Sequence, residues 1–305
     1  MSNARITFAI PFYGSLVHLR RAIASACSQT ARDWRAIIVD DCSPHAGVRE
    51  LVEGVGDTRI TYSRNERNLG LAGNWNRCIE LSTTPLVTLL HSDDELLPHY
   101  AQTMLDAHAL WPNALAIFCG AQIIDGNSEP IFSFRDLVKQ WLLPAAKQPF
   151  VLAGEEGVSS LVRGNFVMCP TLCYNRARFQ GMKFSTGWGF VVDVDFYLRA
   201  LMAGAEFVGL PEVAYRYRRH PDQVTAQCER NARMFTEEIK LWRWAARESQ
   251  KRGWERAATI AERMNIIKLQ IGYYVLADLA RVRPGDALEK LGLLREATRS
   301  VGQIT

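Results

Sequence analysis

The chain opens on a short apolar run, Ile6 to Ile10, and then shifts to apolar residues at Leu16, Leu19, Ile23 and Ala26. The first pattern has the density of a buried strand and the second the three-and-four spacing of a helix face. The alternation repeats. Ala36 to Val39 predicts a strand ending in Asp40-Asp41, Arg59 to Tyr62 a shorter strand, and Ala72, Trp75 and Ile79 a helical face. Leu86 to Leu90 is a fully apolar strand running into His91-Ser92-Asp93-Asp94, and a helix follows Pro98 as far as Trp111. Strands and helices alternating at this spacing predict βαβ units and a mainly parallel, Rossmann-like sheet flanked by helices. Such sheets bind ligands at the carboxyl ends of their strands, where both acidic pairs fall.

The pattern loosens from Ile131 to Val167, where Pro144, Pro149 and Gly154 interrupt the apolar residues and predict loop and short helix. Asp193 to Ala203 reads as helix, and Phe207 to Leu210 and Ala214 to Arg218 as two extended runs. From Gln227 onward glycine and proline thin out, predicting two or three helices with a turn at Arg283-Pro284-Gly285. The expected organisation is a catalytic domain over 1–225, with a nucleotide part at 1–112 and an acceptor part at 113–225, then a helical extension over 226–305.

Composition narrows the class. At 305 residues, 48% hydrophobic and 22% charged, the chain has an ordinary globular make-up. No apolar stretch approaches the roughly eighteen residues of a spanning helix. The start lacks the basic segment and apolar core of a secretion signal, and the seven cysteines include no CxxC pair. A cytoplasmic, reducing setting is expected, with the inner face of a membrane as a second location. The +4 charge gathers in the tail, which from Ala226 carries 15 Lys and Arg against 10 Asp and Glu. That density is too low for a nucleic-acid binder. Trp242, Trp244 and Trp254 lie there beside Arg243, Arg247, Lys251, Arg252 and Arg256. Packing or homo-oligomer formation is favoured for them over docking on an anionic lipid surface.

Five segments can carry chemistry. Adjacent carboxylates past a buried strand, as at Asp93-Asp94, repel unless a cation joins them, and Mg²⁺ or Mn²⁺ prefers such oxygens. Taken alone, the pair also serves as a helix cap. Asp40-Asp41 can accept an imide N–H from a pyrimidine base, or form an Asx turn before Pro44. Pro11-Phe12-Tyr13-Gly14 forms the loop after the first strand, with an aromatic able to stack on a base. Asp193 and Asp195 diverge at a helix start, so Asp193 can face a cleft as general base while Asp195 pairs elsewhere, or both favour the helix dipole. Arg216, Arg218, Arg219 and His220 can meet a diphosphate or metal, or sit as solvated residues on an edge strand. No strand is followed by GxxxxGK[ST] or GxGxxG.

In order and spacing, Pro11-Phe12-Tyr13, Val39-Asp40-Asp41-Cys42-Ser43, Asn65 to Gly70, His91-Ser92-Asp93-Asp94 and Val192 to Phe196 resemble the successive motifs of family-2 inverting glycosyltransferases with the GT-A fold. The resemblance runs from about Ile6 to Thr225. It implies a single displacement in which a sugar passes from a nucleotide-sugar donor, by default a UDP-sugar, to the hydroxyl of a glycan, lipid-linked or other acceptor, in polysaccharide or cell-envelope assembly. It implies that Pro11 and Tyr13 border the nucleoside, that Asp41 takes the base N–H with Asp40 close by, and that Asn68 and Gly70 line the nucleotide pocket. Asp94 is then the first metal ligand, Asp93 a ribose or metal partner, Asp193 the base, and His220 a further metal or phosphate contact. Two departures stand out: His91 replaces the pattern's first acidic residue, and Val192 stands where many relatives carry Glu. A nucleotidyltransferase and a non-catalytic nucleotide-binding module are the rival readings. The former normally grips its triphosphate with a Gly-rich basic loop after the first strand, which Ile10 to Leu19 does not supply.

Overall fold

The computed structural model describes residues 4–132, 148–179, 181–220 and 233–298. Chain contacts divide it into two compact units, one comprising 1–151, 167–186 and 205–219, the other 152–166, 187–204 and 220–305.

The first unit follows the predicted alternation: β1 (Ile6–Phe12), α1 (Leu16–Cys27), β2 (Trp34–Asp40), α2 (Val48–Glu53), β3 (Ile60–Arg64), α3 (Gly70–Leu81) and β4 (Leu86–Leu89). β1 pairs in parallel with β2 and β4, and β2 with β3. α1 buries Leu19, Ala22, Ile23 and Ala26, the face its spacing predicted. Then come β5 (Glu95–Leu96), α4 (Tyr100–Leu110), β6 (Ala116–Ile124), β7 (Phe150–Leu152), a 3₁₀ turn at Cys169–Thr171, β8 (Cys173–Asn175) and β9 (Phe207–Arg218). The strand order is β3-β2-β1-β4-β8-β6-β9-β5, with β7 on β9. The sheet is mixed: β8 runs antiparallel to β4 and β6, and β5 antiparallel to β9. The core gathers Phe8, Ile10, Phe12, Trp34, Ile38, Tyr100 and Tyr215, all fully buried.

Three differences from the sequence reading have local causes. Pro11 and Phe12 belong to β1 rather than to the loop after it. Pro11 lies beyond the four β1 residues paired with β4, so its missing N–H breaks no ladder bond there. The two extended runs after Phe207 are one strand, because the Pro211-Glu212-Val213 interruption forms a register irregularity against β6 instead of a break. A Cβ at Gly120 would meet Val213 Cγ2 at 3.1 Å and the Glu212 carbonyl at 3.2 Å, so the bulged strand needs glycine opposite it. Within 131–167, residues 133–147 lie outside the described set, while Phe150–Leu152 is strand.

The second unit is helical: α5 (Gly154–Arg163), α6 (Val192–Met202), α7 (Arg233–Lys251), α8 (Glu255–Arg263), α9 (Asn265–Ala280) and α10 (Pro284–Thr298). Of the expected tail, 226–232 and 299–305 fall outside the described residues, and the remainder forms four helices rather than two or three. The turn comes just before Pro284, which opens α10 at the first-turn position that proline tolerates. Trp242 is buried and donates to the Val162 carbonyl at 2.7 Å; Trp244 and Trp254 are half-buried. Among the described residues, no helix is long and apolar enough to cross a membrane.

Candidate active site

Parallel pairing sends β1, β2, β3 and β4 in one direction, so residues after their last positions gather on one edge of the first unit's sheet. Tyr13 follows β1 there, 54% exposed and open for a planar ligand. The next residue, Gly14, lies alongside Ser92: a Cβ on it would stand 4.0 Å from the serine hydroxyl. The loop after β1 and the acidic loop after β4 are therefore neighbours.

The first acidic pair is buried and held by several donors. Asp40 Oδ1 accepts the Ser43 N–H at 2.7 Å, and Oδ2 accepts the Tyr62 hydroxyl at 2.7 Å and an Arg64 guanidinium N–H at 2.6 Å. Burial pushes this carboxyl up, but the bonds from Tyr62, Ser43 and Arg64 prevail and hold it below the usual carboxylate range. Asp41 Oδ1 accepts the Asn65 amide and the Leu69 N–H, both at 2.8 Å, and Oδ2 accepts the Gly70 N–H at 2.9 Å. Asn65 also reaches Asn74, whose amide donates to the Val39 carbonyl. Asp41 thus bolts the turn Asn65–Gly70 to the end of β2. Asn68 Oδ1 accepts the same Gly70 N–H at 2.8 Å, and Gly70 holds φ +73°, a left-handed geometry that suits glycine.

The second pair is built differently. His91, Asp93 and Asp94 each offer a ligand atom within 4.8 Å of the others. Asp94 is fully buried; its Oδ1 accepts the Arg218 backbone N–H at 2.8 Å and its Oδ2 the Tyr215 hydroxyl at 3.2 Å. Burial first, and the neighbouring Asp93 charge second, raise its carboxyl well above the ordinary range. The His91 ring stacks on Trp75 at 5.4 Å, its Nε2 is buried without a hydrogen-bond partner, and burial lowers its basicity against the pull of Asp93. A neutral imidazole with an unengaged nitrogen beside two carboxylates is a donor set that suits a divalent cation. Among the described residues these three are the group with such spacing.

Arg218 stands behind this cluster, fully buried rather than solvated on an edge, since β9 lies between β6 and β5. Its Nε donates to the Asp93 carbonyl and Nη1 to the Asp125 carbonyl, both at 2.6 Å; Nη2 pairs with Glu95 and donates to the Ser128 hydroxyl at 3.0 Å. One guanidinium therefore fixes the backbone of the acidic loop. Sequence reasoning grouped it with residues for a diphosphate, and it missed Glu95, Tyr62, Arg64 and Trp75 as supporting residues.

Asp193 and His220 belong to the second unit. Asp193 occupies the first turn of α6, partly exposed, while Asp195 is buried and held by Arg199 through Nε at 2.9 Å and Nη2 at 2.7 Å. The predicted divergence of the two acids is thus present. His220 is half-buried.

Residues 7–154 match the model of Glycosyl transferase family 2. The succinoglycan biosynthesis proteins ExoO and ExoW of Rhizobium meliloti are 31% and 32% identical over 162 and 119 residues, 50% and 35% of this chain. The matches span 44% and 37% of those relatives, so the chain covers less than half the length of each. Among solved structures, S. aureus TarS 1–349 is similar with a TM-score of 0.65 and 15% identity, over 96% of this chain and 81% of that one. The same protein in complex with UDP-GlcNAc gives 0.64 and 15%, over 97% and 82%. At that identity the likeness concerns the fold.

Proposed function

Residues 7–154 place this chain in glycosyl transferase family 2, and from that premise we propose that it moves a sugar from a UDP-sugar to an acceptor hydroxyl with inversion at the anomeric carbon. The observation that carries the reading is the convergence of His91, Asp93 and Asp94 on a strand-end edge that also holds Tyr13 and the turn fixed by Asp41. The succinoglycan role of ExoO and ExoW supports a polysaccharide setting, and the TarS complex supports a uridine nucleotide-sugar donor.

In this reading Tyr13 and Pro11 border the nucleoside, and the Asn68–Gly70 turn lines its pocket. Asp41 uses its remaining acceptor capacity on the base N–H, while Asp40 keeps the turn after β2 in place. Asp94, Asp93 and His91 hold Mn²⁺ or Mg²⁺, which when bound offsets charge on the leaving diphosphate. Asp193 takes the proton of the acceptor hydroxyl as that oxygen attacks the sugar from the face opposite the leaving group. A positioned base of this kind contributes about a hundred- to ten-thousand-fold in rate. His220 is the remaining candidate for a phosphate or metal contact.

The test is nucleotide release from UDP-, dTDP- and GDP-sugars, with and without Mn²⁺ or Mg²⁺. UDP release that needs the cation is expected, and Asp193→Asn should lose roughly a hundred-fold or more in turnover while donor binding by calorimetry stays intact. Normal turnover in Asp193→Asn removes the base assignment. Pyrophosphate formation from a nucleoside triphosphate and a sugar phosphate would instead identify a nucleotidyltransferase, and binding without turnover a non-catalytic module.

A further inference from the structure

α6 starts without a side-chain cap of its own: Val191 precedes it, and no side chain of the capping residue bonds the first turn. Helix starts leave N–H groups unpaired, and here the N–H of the capping residue Val191 and those of the two residues before it meet an acceptor on another helix. Glu237, on α7, is buried and points its carboxylate at the strap before α6. Oε2 accepts the Phe190 N–H at 2.7 Å, the Gly189 N–H at 2.9 Å and the Val191 N–H at 3.4 Å; Oε1 lies 3.1 Å from the Gly189 nitrogen. Three consecutive amides thus converge on one anion, the concave arrangement that backbone N–H groups offer to negative charge. Arg233, one turn earlier on α7, donates to Oε1 at 2.9 Å and keeps the carboxylate balanced. Its guanidinium presses on the strap so closely that a Cβ at Gly189 would fall 2.5 Å from Nη2. Although burial pushes the Glu237 carboxyl up, the bonds from Phe190, Arg233, Gly189 and Val191 outweigh it and hold the group below its ordinary range, so the anchor stays charged near neutral pH.

Asp193 sits two residues after the last anchored amide. The other acid of that turn, Asp195, is paired within α6 to Arg199 and so does not tie the strap to anything outside the helix. We infer that Glu237 is a positioning residue for the reaction: by clamping Gly189–Val191 it sets where α6 begins and therefore where the Asp193 carboxylate stands. This rests on Asp193 being the base, and it gives the C-terminal helices a part in turnover. Hydrogen bonds to an ionised acceptor are roughly twice as strong as neutral ones, which makes Glu237 a strong restraint on the strap. Reacting groups must be held to about half an ångström, and a misplacement of about 1 Å costs on the order of a hundred-fold in rate.

The experiment compares Glu237→Gln and Glu237→Asp with the unaltered full chain, and repeats Glu237→Gln in the Asp193→Asn background. It uses the donor chosen from the nucleotide-sugar panel. Glu237→Gln keeps the size of the side chain but turns one oxygen into a donor facing backbone N–H groups. Its kcat should fall about ten- to a hundred-fold, with donor KM and UDP affinity within about threefold of the unaltered protein. Amide exchange at Gly189–Val191 should quicken, and Glu237→Asp should recover part of the kcat. In the Asp193→Asn background the same change should cost nothing further, since the group being positioned is gone. Wild-type kcat in Glu237→Gln despite faster exchange overturns the inference. So does an equal loss in both backgrounds, which would mark a buttress acting through other groups. Undiminished turnover in Asp193→Asn alone is the separate signature that the base reading itself has failed, and the inference falls with it.

Discussion

Replacing Arg218 by Met tests whether the buried guanidinium fixes the acidic loop. The substitution keeps the backbone N–H that Asp94 accepts and much of the side chain's volume, while removing every charged contact. It leaves the Asp93 and Asp125 carbonyls without their guanidinium donor, and it leaves Glu95, 8% exposed, with the Ser128 hydroxyl at 2.5 Å and a long contact to Arg216 at 3.5 Å. Breaking a buried ion pair by removing one partner costs about 3–5 kcal/mol, most of it the penalty of the orphaned charge. The two orphaned carbonyls push toward the upper part of that range, since a buried unsatisfied acceptor costs about 1–3 kcal/mol. If the orphaned Glu95 charge is the main loss, Glu95→Gln added to Arg218→Met should restore a substantial share, with a coupling of about 2 kcal/mol in the double-mutant cycle. Urea denaturation gives the totals, and amide exchange along β9 isolates the unit that holds the hub. Mn²⁺ affinity should fall with the loss of the Asp93 carbonyl anchor. A single-variant cost below about 1 kcal/mol, or strict additivity with Glu95→Gln, would show that the hub bears little on stability.

Two further outcomes are expected. Gly70→Ala should destabilise by about 1–2 kcal/mol, because φ +73° disfavours a Cβ even though none of the surrounding atoms lies within 4 Å of it; it should also weaken UDP binding, and thermal melts beside calorimetry would show a neutral change if the turn is dispensable. Asp40 is more acidic folded than unfolded, so its contribution to stability is complete above the unfolded pKa of about 3.9 and is lost as pH falls through the lower folded value. The stability gap between the protein and Asp40→Asn should therefore hold level from about pH 8 to 5 and shrink below about 4, and a gap that widened on acidification would refute the assignment.

The parallel half of the fold was legible because burial on both faces writes dense apolar runs, and β1, β2 and β4 follow them closely. The strands outside that half were harder to see. β5 is two residues long, β8 three, and β6 carries Gly120 where a bulge on its partner needs room. The two acidic pairs show the same limit at the site. Val39-Asp40-Asp41 and Leu90 to Asp94 read alike as carboxylates leaving a strand. What separates them lies far away in sequence: Tyr62, Arg64, Asn65 and Gly70 engage the first pair, and Tyr215 and Arg218 the second. In the first pair, the bonds from Tyr62, Ser43 and Arg64 hold the Asp40 carboxyl below its ordinary range against the effect of burial. At Asp94 the balance runs the other way: burial and then the Asp93 charge raise the carboxyl, a penalty on the charged form that a bound cation would offset.

A similar argument changes how the C-terminal helices should be tested. Their composition, tryptophans beside arginines, raised lipid contact or self-association, and truncation after Thr225 looks like the direct probe. In the structure Trp242 spends its indole N–H on Val162 of α5, and Arg256 pairs with Glu156 of the same helix at 2.5 Å. The backbone N–H groups of Arg256 and Ala257 donate to Glu155, and Glu237 holds the strap before α6. α5 and α6 come from within the first 225 residues, yet their packing partners are supplied by α7 and α8. Removing the tail would expose the apolar faces of two internal helices and release the strap, so lost activity or altered liposome binding in a truncated chain would report a broken unit. Point substitutions on outward positions such as Leu269, Tyr273 and Leu276, which are exposed and leave the buried contacts intact, separate a surface role from a structural one.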